Sequence, residues 1–165
     1  MIRYTRFSSP MGSMLLARSG VGVCRICLPN EREPSLFAWF DKRFPGERVV
    51  EDPESLRVAR NELTAYFRGE LKEFSFSLDL QVTPFQRRVL DRVREIPYGR
   101  TASYKQIAGL IGNSSGVRAA AGAVAHNPLP VVIPCHRVIA HDGSLRGYGG
   151  GLPLKRRLLR LEGAL

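Results

Sequence analysis

The chain has 165 residues, 44% of them hydrophobic and 24% charged, with no polar low-complexity tract, which excludes a disordered or fibrous protein and bounds the fold to one or two globular domains. Met1 is followed by no signal-peptide pattern, and apolar runs such as Leu129–Ile133 fall far short of the ~20 residues of a membrane span, so a cytoplasmic protein is expected. The net charge of +10 is uneven: from Pro84 onward 13 Lys and Arg stand against 4 Asp and Glu, while residues 1–83 carry 12 against 11, which makes the second half the candidate polyanion-binding half.

Residues 2–8, 13–18 and 21–28 read as short strands punctuated by Pro10-Met11-Gly12 and Ser19-Gly20, a small antiparallel sheet. Cys24 and Cys27 form a C-x-x-C inside the third strand. No second Cys/His pair follows at ligand spacing, so small buried hydrophobes are favoured over a metal or redox site, and no metal is expected. Pro34–Phe44 and Pro53–Arg68 read as helices opened by proline, the second closed by Gly69 and carrying Leu56, Ala59, Leu63, Tyr66 and Phe67 on one face. Phe74–Leu78 alternates apolar and polar residues as one more strand. The style of the sequence changes at Gln81-Val82-Thr83, which sets an α/β domain over 1–80 against a mostly α domain over 81–165.

Thr83-Pro84 opens a helix with Phe85, Val89, Leu90, Val93 and Ile96 as its buried stripe, closed by Pro97-Tyr98-Gly99. Ser103–Ile111 and Gly116–His126 are two short helices around a Gly112-Asn113-Ser114-Ser115 turn, which resembles a helix-turn-helix. The second is almost all small residues, including Ala119 and Gly122, with Arg118 at its start. Small side chains permit close backbone approach, either to another helix or to a nucleic-acid groove, and Arg118 is placed to enter such a groove and hold the space left by an extruded base.

Asn127–Pro134 holds three prolines that favour an extended backbone and deliver Cys135 on a stiff mount. Cys135-His136-Arg137 puts a thiol beside an imidazole and a guanidinium, surroundings that lower a cysteine pKa and mark a nucleophile. In extended backbone successive side chains point to opposite sides, so His136 is expected to reach the sulfur through a bridging water. Glu162, on a C-terminal helix starting at Pro153, is the candidate carboxylate to orient the imidazole, its other reading being a solvated helix-end residue. The loop Gly147-Tyr148-Gly149-Gly150-Gly151 lets backbone approach a planar ligand beside Tyr148; a plain flexible loop is the competing reading, and there is no phosphate-loop spacing.

Ile133-Pro134-Cys135-His136-Arg137-Val138 resembles the active-site signature of the O6-alkylguanine-DNA alkyltransferases. Phe85-Gln86, Ile96-Pro97-Tyr98-Gly99, Ser103-Tyr104, Arg118-Ala119, Asn127-Pro128, Gly147-Tyr148-x-Gly150-Gly151 and Leu158-Leu159-x-x-Glu162-Gly163 resemble further landmarks in the family order, from about residue 84 to the end. The N-terminal half resembles the family more loosely, through Ser9-Pro10-x-Gly12 and the strands after it.

The resemblance implies an α/β N-terminal domain with a small ribonuclease-H-like sheet and a mostly α C-terminal domain with a winged helix-turn-helix. It implies a DNA-repair protein that binds the minor groove of double-stranded DNA, flips out an O6-alkylguanine and moves the alkyl group irreversibly to Cys135, with no cofactor; the sequence leaves the oligomeric state open, and a monomer that can cluster on DNA is expected. By position, His136 is the water-mediated base oriented by Glu162, Asn127 braces the active-site turn, and Tyr104 presses on the flanking phosphate and protonates the leaving guanine. Arg118 replaces the flipped base, with Ser103, Ala119 and Gly122 also at the DNA. Tyr148, Val138, Gly149 and Pro130 line the base pocket. Ala120 stands where valine is expected, and Arg146 precedes the Gly147-Tyr148 loop where members vary. Two rivals belong to other classes: a non-catalytic module that binds alkylated DNA, against which Cys135 argues, and a cysteine hydrolase, against which the adjacency of Cys135 and His136 argues.

Overall fold

In the computed structural model, which describes residues 1–165, β1 (Ile2–Ser9) runs antiparallel to β2 (Gly12–Arg18), and β2 antiparallel to β3 (Val23–Cys27), as the hairpin spacing requires. The sheet is nevertheless mixed. A fourth strand, β4 (Val49–Glu51), lies parallel to β1 and gives the order β3-β2-β1-β4. Three residues are too few for an alternation to be read, so this strand had no sequence signal.

Met14, Leu15, Leu16 and Ala17 of β2 are buried in succession, so both faces of the sheet are covered. On one of them α1 (Glu33–Arg43) inserts Leu36 and Phe40 among Ile2, Leu15, Ala17, Cys24 and Cys27. Burial pushes the Cys24 and Cys27 thiols up to about 12, which suits core residues rather than nucleophiles. The helix expected from Pro53 starts as a 3-10 turn (Glu54–Leu56) and continues as α2 (Arg57–Phe67), burying the expected row Leu56, Ala59, Leu63, Tyr66 and Phe67.

Phe74–Leu78 is not a strand. It touches β3 through the single bridge Val23–Leu78, with Val23 N–H donating to the Ser77 carbonyl at 2.9 Å. Its alternation is real but serves side-chain packing: the Phe74 ring lies 5.4 Å from that of Tyr66 and 5.7 Å from that of Phe76. The backbone passes so close to Gly22 that a Cβ there would sit 2.6 Å from the Ser77 oxygen.

Residues 1–81 form one compact unit and 82–165 a second. The second opens with α3 (Pro84–Arg94), capped as expected: Gln86 N–H donates to Thr83 Oγ1 and Thr83 N–H to Gln86 Oε1, both at 3.2 Å. Val89, Leu90 and Val93 turn its apolar row inward. A short β5 (Ala102–Ser103) pairs in parallel with β6 (Val138–Ile139). Between them lie α4 (Tyr104–Leu110) and α5 (Val117–Ala125), the two helices of the expected helix-turn-helix, packed on each other and on α3. The chain ends with α6 (Leu152–Leu161). No helix is long and apolar enough to cross a membrane.

Candidate active site

α5 runs directly into the segment that carries Cys135, and Asn127 governs that segment. Its Nδ2 donates to the Ile133 carbonyl at 2.8 Å and its Oδ1 accepts from Leu129 N–H at 2.9 Å, while Ile133 N–H donates to the Leu129 carbonyl at 2.9 Å. The expected extended mount is therefore corrected to a clamped turn, with Pro130 buried in it. At its apex Val131, a buried β-branched residue, sits at φ 75°, a left-handed conformation that costs about 1–3 kcal/mol and persists only where surroundings hold it. Three prolines stiffen a segment but do not choose its path; the Asn127 amide does.

Cys135, His136 and Arg137 are likewise not extended but form one 3-10 turn, all buried. His136 Nε2 lies 2.9 Å from Glu162 Oε2, so the imidazole proton is held there and Nδ1 is the basic nitrogen. Burial pushes the His136 pKa down despite the carboxylate, which keeps the ring neutral. Glu162 is fully buried, not a solvated helix end.

Arg137 does not act on the thiol as its place in the sequence suggested. Its Nε and Nη2 donate to the two Glu162 oxygens at 2.8 and 2.7 Å, and Nη1 donates to the Ile96 carbonyl at 2.7 Å. The Ile96-Pro97-Tyr98-Gly99 motif cradles this pair. Beyond the Ile96 carbonyl, the Tyr98 ring lies 5.7 Å from the guanidinium, and Gly99, at φ 80°, leaves room for the Glu162 carbonyl, 3.0 Å from where a Cβ would stand.

With Arg137 committed and His136 neutral, the expectation of a low cysteine pKa is overturned. Burial pushes the Cys135 thiol up to about 11, against the opposing pull of the Asn127 hydrogen bond and the Lys155 charge. Desolvation wins because the cation beside it in sequence is spent on another partner. The resting sulfur is a thiol.

Lys155 had not been singled out. It is buried on α6, and its Nζ donates to the carbonyls of Val138, Leu145 and Gly147 at 2.7, 2.6 and 3.2 Å. Its signal was available: Lys155, Leu158, Leu159 and Glu162 are spaced i, i+3, i+4, i+7, an apolar row with a charge at each end. The Tyr104 ring centroid lies 5.9 Å from Nζ. Burial and the nearby Cys135 raise the Tyr104 pKa, which keeps its hydroxyl a proton donor. Ser103 caps α4, its Oγ accepting from Gln106 N–H at 3.0 Å, and thereby places Tyr104 in the first helical turn. Tyr148 is half-buried, Gly149 is exposed, and Val138 is buried immediately after the Cys135 turn.

On α5, Arg118, Ala119 and Gly122 are all exposed, and a Cβ on Gly122 would meet nothing within 4 Å. Ala119 and Gly122 thus present an open shelf on the outer side of α5, while Ala120, Ala123 and Val124 pack inward on the neighbouring helices. Ala120, where valine was expected, is buried on the opposite side and touches none of the chemistry.

Comparison with known proteins bears on the whole chain. Residues 2–80 match the family described as 6-O-methylguanine DNA methyltransferase, ribonuclease-like domain, and residues 84–164 match the DNA binding domain of the same family. A methylated-DNA–protein-cysteine methyltransferase of Mycobacterium tuberculosis is 43% identical over 163 residues, covering 98% of this chain and 93% of that one. The inducible methylated-DNA–protein-cysteine methyltransferase of Bacillus subtilis is 44% identical over 141 residues, 86% of this chain and 79% of its own. Among solved structures, Mycobacterium tuberculosis OGT in complex with DNA superposes with a TM-score of 0.85 at 40% identity, covering 98% of this chain and 93% of that one.

Proposed function

The chain belongs to the 6-O-methylguanine DNA methyltransferase family, a DNA-binding alkyltransferase of DNA repair, and on that premise we propose that it moves the alkyl group of an O6-alkylguanine irreversibly onto its own Cys135. The observation that carries this reading is a buried thiol at the end of an Asn127-clamped turn, beside a neutral imidazole whose other nitrogen is held by a buried carboxylate.

DNA enters by the minor groove along α5, whose exposed Ala119 and Gly122 let the backbone come close while Arg118 fills the gap left by the flipped nucleotide. Extruding the base costs a few kcal/mol, offset by phosphate contacts of the basic half. The base lies between Tyr148 and the backbone of Val138 and Gly149, with Pro130 behind it. The Cys135 proton passes through a water to His136 Nδ1, and Glu162 steadies the imidazolium. The sulfur then attacks the alkyl carbon in line: the S–C bond forms, the O6–C bond breaks, and its electron pair goes to the guanine. Tyr104 donates a proton to the ring so that guanine leaves neutral. A thioether is a poor leaving group, so the cysteine is not regenerated and each molecule acts once. The protein works as a monomer, clustering on DNA, in the cytoplasm with access to the nucleoid.

The test is to incubate the protein with a duplex carrying one O6-methylguanine and follow intact mass and peptide maps. One methyl gained per chain at Cys135, and none in Cys135→Ala, is the expected result. Tight lesion binding without a mass change would leave a DNA-binding module and sink the transfer.

A further inference from the structure

Two residues other than glycine sit in the left-handed region, Val131 at φ 75° and Arg146 at φ 59°. Val131 is buried at the apex of the turn that Asn127 clamps. Arg146 is exposed, and its neighbours hold it: the Leu145 and Gly147 carbonyls accept from Lys155 Nζ at 2.6 and 3.2 Å, which pins the backbone on either side to α6. A side chain is strained at such an angle and glycine is not. Four of the next five residues are glycine, so a loop that had only to turn there would carry one more.

The position puts a cation near Tyr104. The Tyr104 ring centroid lies 5.9 Å from the nitrogen that pins the Arg146 loop. Burial raises the Tyr104 pKa, Cys135 raises it further, and the Arg146 charge pulls against both, so the guanidinium stands close enough to act on the phenol. No carboxylate of the chain takes that charge. The ion pairs of the second unit are Arg92 with Glu95, and Glu162 with His136 and Arg137. Asp142, held below the usual carboxylate range by Ser144 first and by the Arg146 charge after it, keeps Oδ1 on the Ser144 N–H and hydroxyl at 3.0 and 2.7 Å. An exposed guanidinium, strained into place beside a tyrosine and outside every ion pair of its own chain, fits a phosphodiester, whose two free oxygens match its paired N–H donors.

We propose that Arg146 is a phosphate-binding residue, its guanidinium taking, beside Tyr104, the phosphodiester that flanks the extruded nucleotide and so holding the DNA backbone in its flipped form. The proposal rests on extrusion of the alkylguanine toward Cys135 in the reading above.

The test compares a Cys135→Ala chain, which binds an O6-methylguanine duplex without transfer, with the same chain carrying Arg146→Gly. Arg146→Gly should melt no lower, since glycine takes φ 59° without strain. It should bind the duplex about tenfold more weakly at low salt, the loss of one charge-assisted contact. The slope of log affinity against log salt should fall by about 0.9, the share of one phosphate. Duplexes in which the phosphates flanking the lesion are neutral methylphosphonates locate the contact: they should cost the Cys135→Ala chain about fivefold more affinity than they cost the chain with Arg146→Gly. Equal losses in the two chains, an unchanged salt slope, or an Arg146→Gly chain that melts lower would each overturn the proposal, the last by assigning the arginine to the loop itself. No methyl on Cys135 of the unsubstituted chain is a different result: it removes the transfer reading, and the methylphosphonate comparison still decides the phosphate contact.

Discussion

Replacing Glu162 by glutamine should damage the fold before it damages the chemistry. The carboxylate is 0% exposed and holds two groups at once: His136, also 0% exposed, and Arg137, 9% exposed. Glutamine offers one oxygen where three N–H donors converge, and its NH2 must face one of them. The guanidinium then stays buried with the Ile96 carbonyl and no counter-charge. Removing one partner of a buried ion pair costs about 3–5 kcal/mol, set against the roughly 5–15 kcal/mol that holds a domain together. Urea unfolding of Glu162→Gln should therefore show a loss of about 3 kcal/mol or more, and methyl transfer by the folded fraction should slow by about 10- to 100-fold as the imidazole loses its orienting partner. Arg137→Met removes the stranded charge, so the double variant should be less destabilised than the two single losses together, by about 1–3 kcal/mol of coupling. Additive losses, or a Glu162→Gln protein of full stability with slowed transfer, would refute the ion-pair reasoning and leave Glu162 as the histidine's partner alone.

Asn127→Ala should cost about 1–3 kcal/mol for the buried Leu129 N–H it strands, the Ile133 carbonyl keeping Cys135 N–H at 2.7 Å, measured by urea unfolding, and should move Cys135 reactivity to still higher pH because its hydrogen bond favours the thiolate. Gly22→Ala should destabilise residues 1–81 by at least about 1 kcal/mol in the same assay, since its methyl meets the backbone of Ser77 rather than a movable side chain. Arg118→Ala should leave stability within about 0.5 kcal/mol and slow transfer from duplex DNA, with little effect on iodoacetamide labelling of Cys135. The folded thiols, at about 11 for Cys135 and about 12 for Cys24 and Cys27 against an ordinary 9.0, keep protons that the unfolded chain releases. Their contribution is thus complete below pH 9.0 and is lost as pH climbs through those folded values, which unfolding curves at increasing alkalinity will show.

Local signals carried most of the fold. Thr83 and Pro84 announce α3 because an N-cap and a proline at the first helical position are neighbours in sequence, and the α2 row is legible because burial repeats with the helical period. β4 and Phe74–Leu78 were not legible, because a strand is defined by its partner: Val49–Val50 find β1, while the Phe74 and Phe76 rings pack without a ladder. In the site, Cys135, His136 and Glu162 could be named, but the geometry joining them could not, since the Asn127 amide and not proline stiffness bends the turn. Arg137 was misread for a related reason: adjacency along the chain placed it by the thiol, whereas a 3-10 turn aims it at Glu162. Lys155 lay hidden in the run Lys155-Arg156-Arg157, which looks like a uniformly solvated face. Only the helical phase separates them, turning Lys155 inward with Leu158 and Leu159 and leaving Arg156 and Arg157 exposed. A charge that breaks an apolar row must be paid for by a partner, so the two that interrupt this row, Lys155 and Glu162, lead to the two sides of the Cys135 turn: the first to its pocket wall, the second to its base.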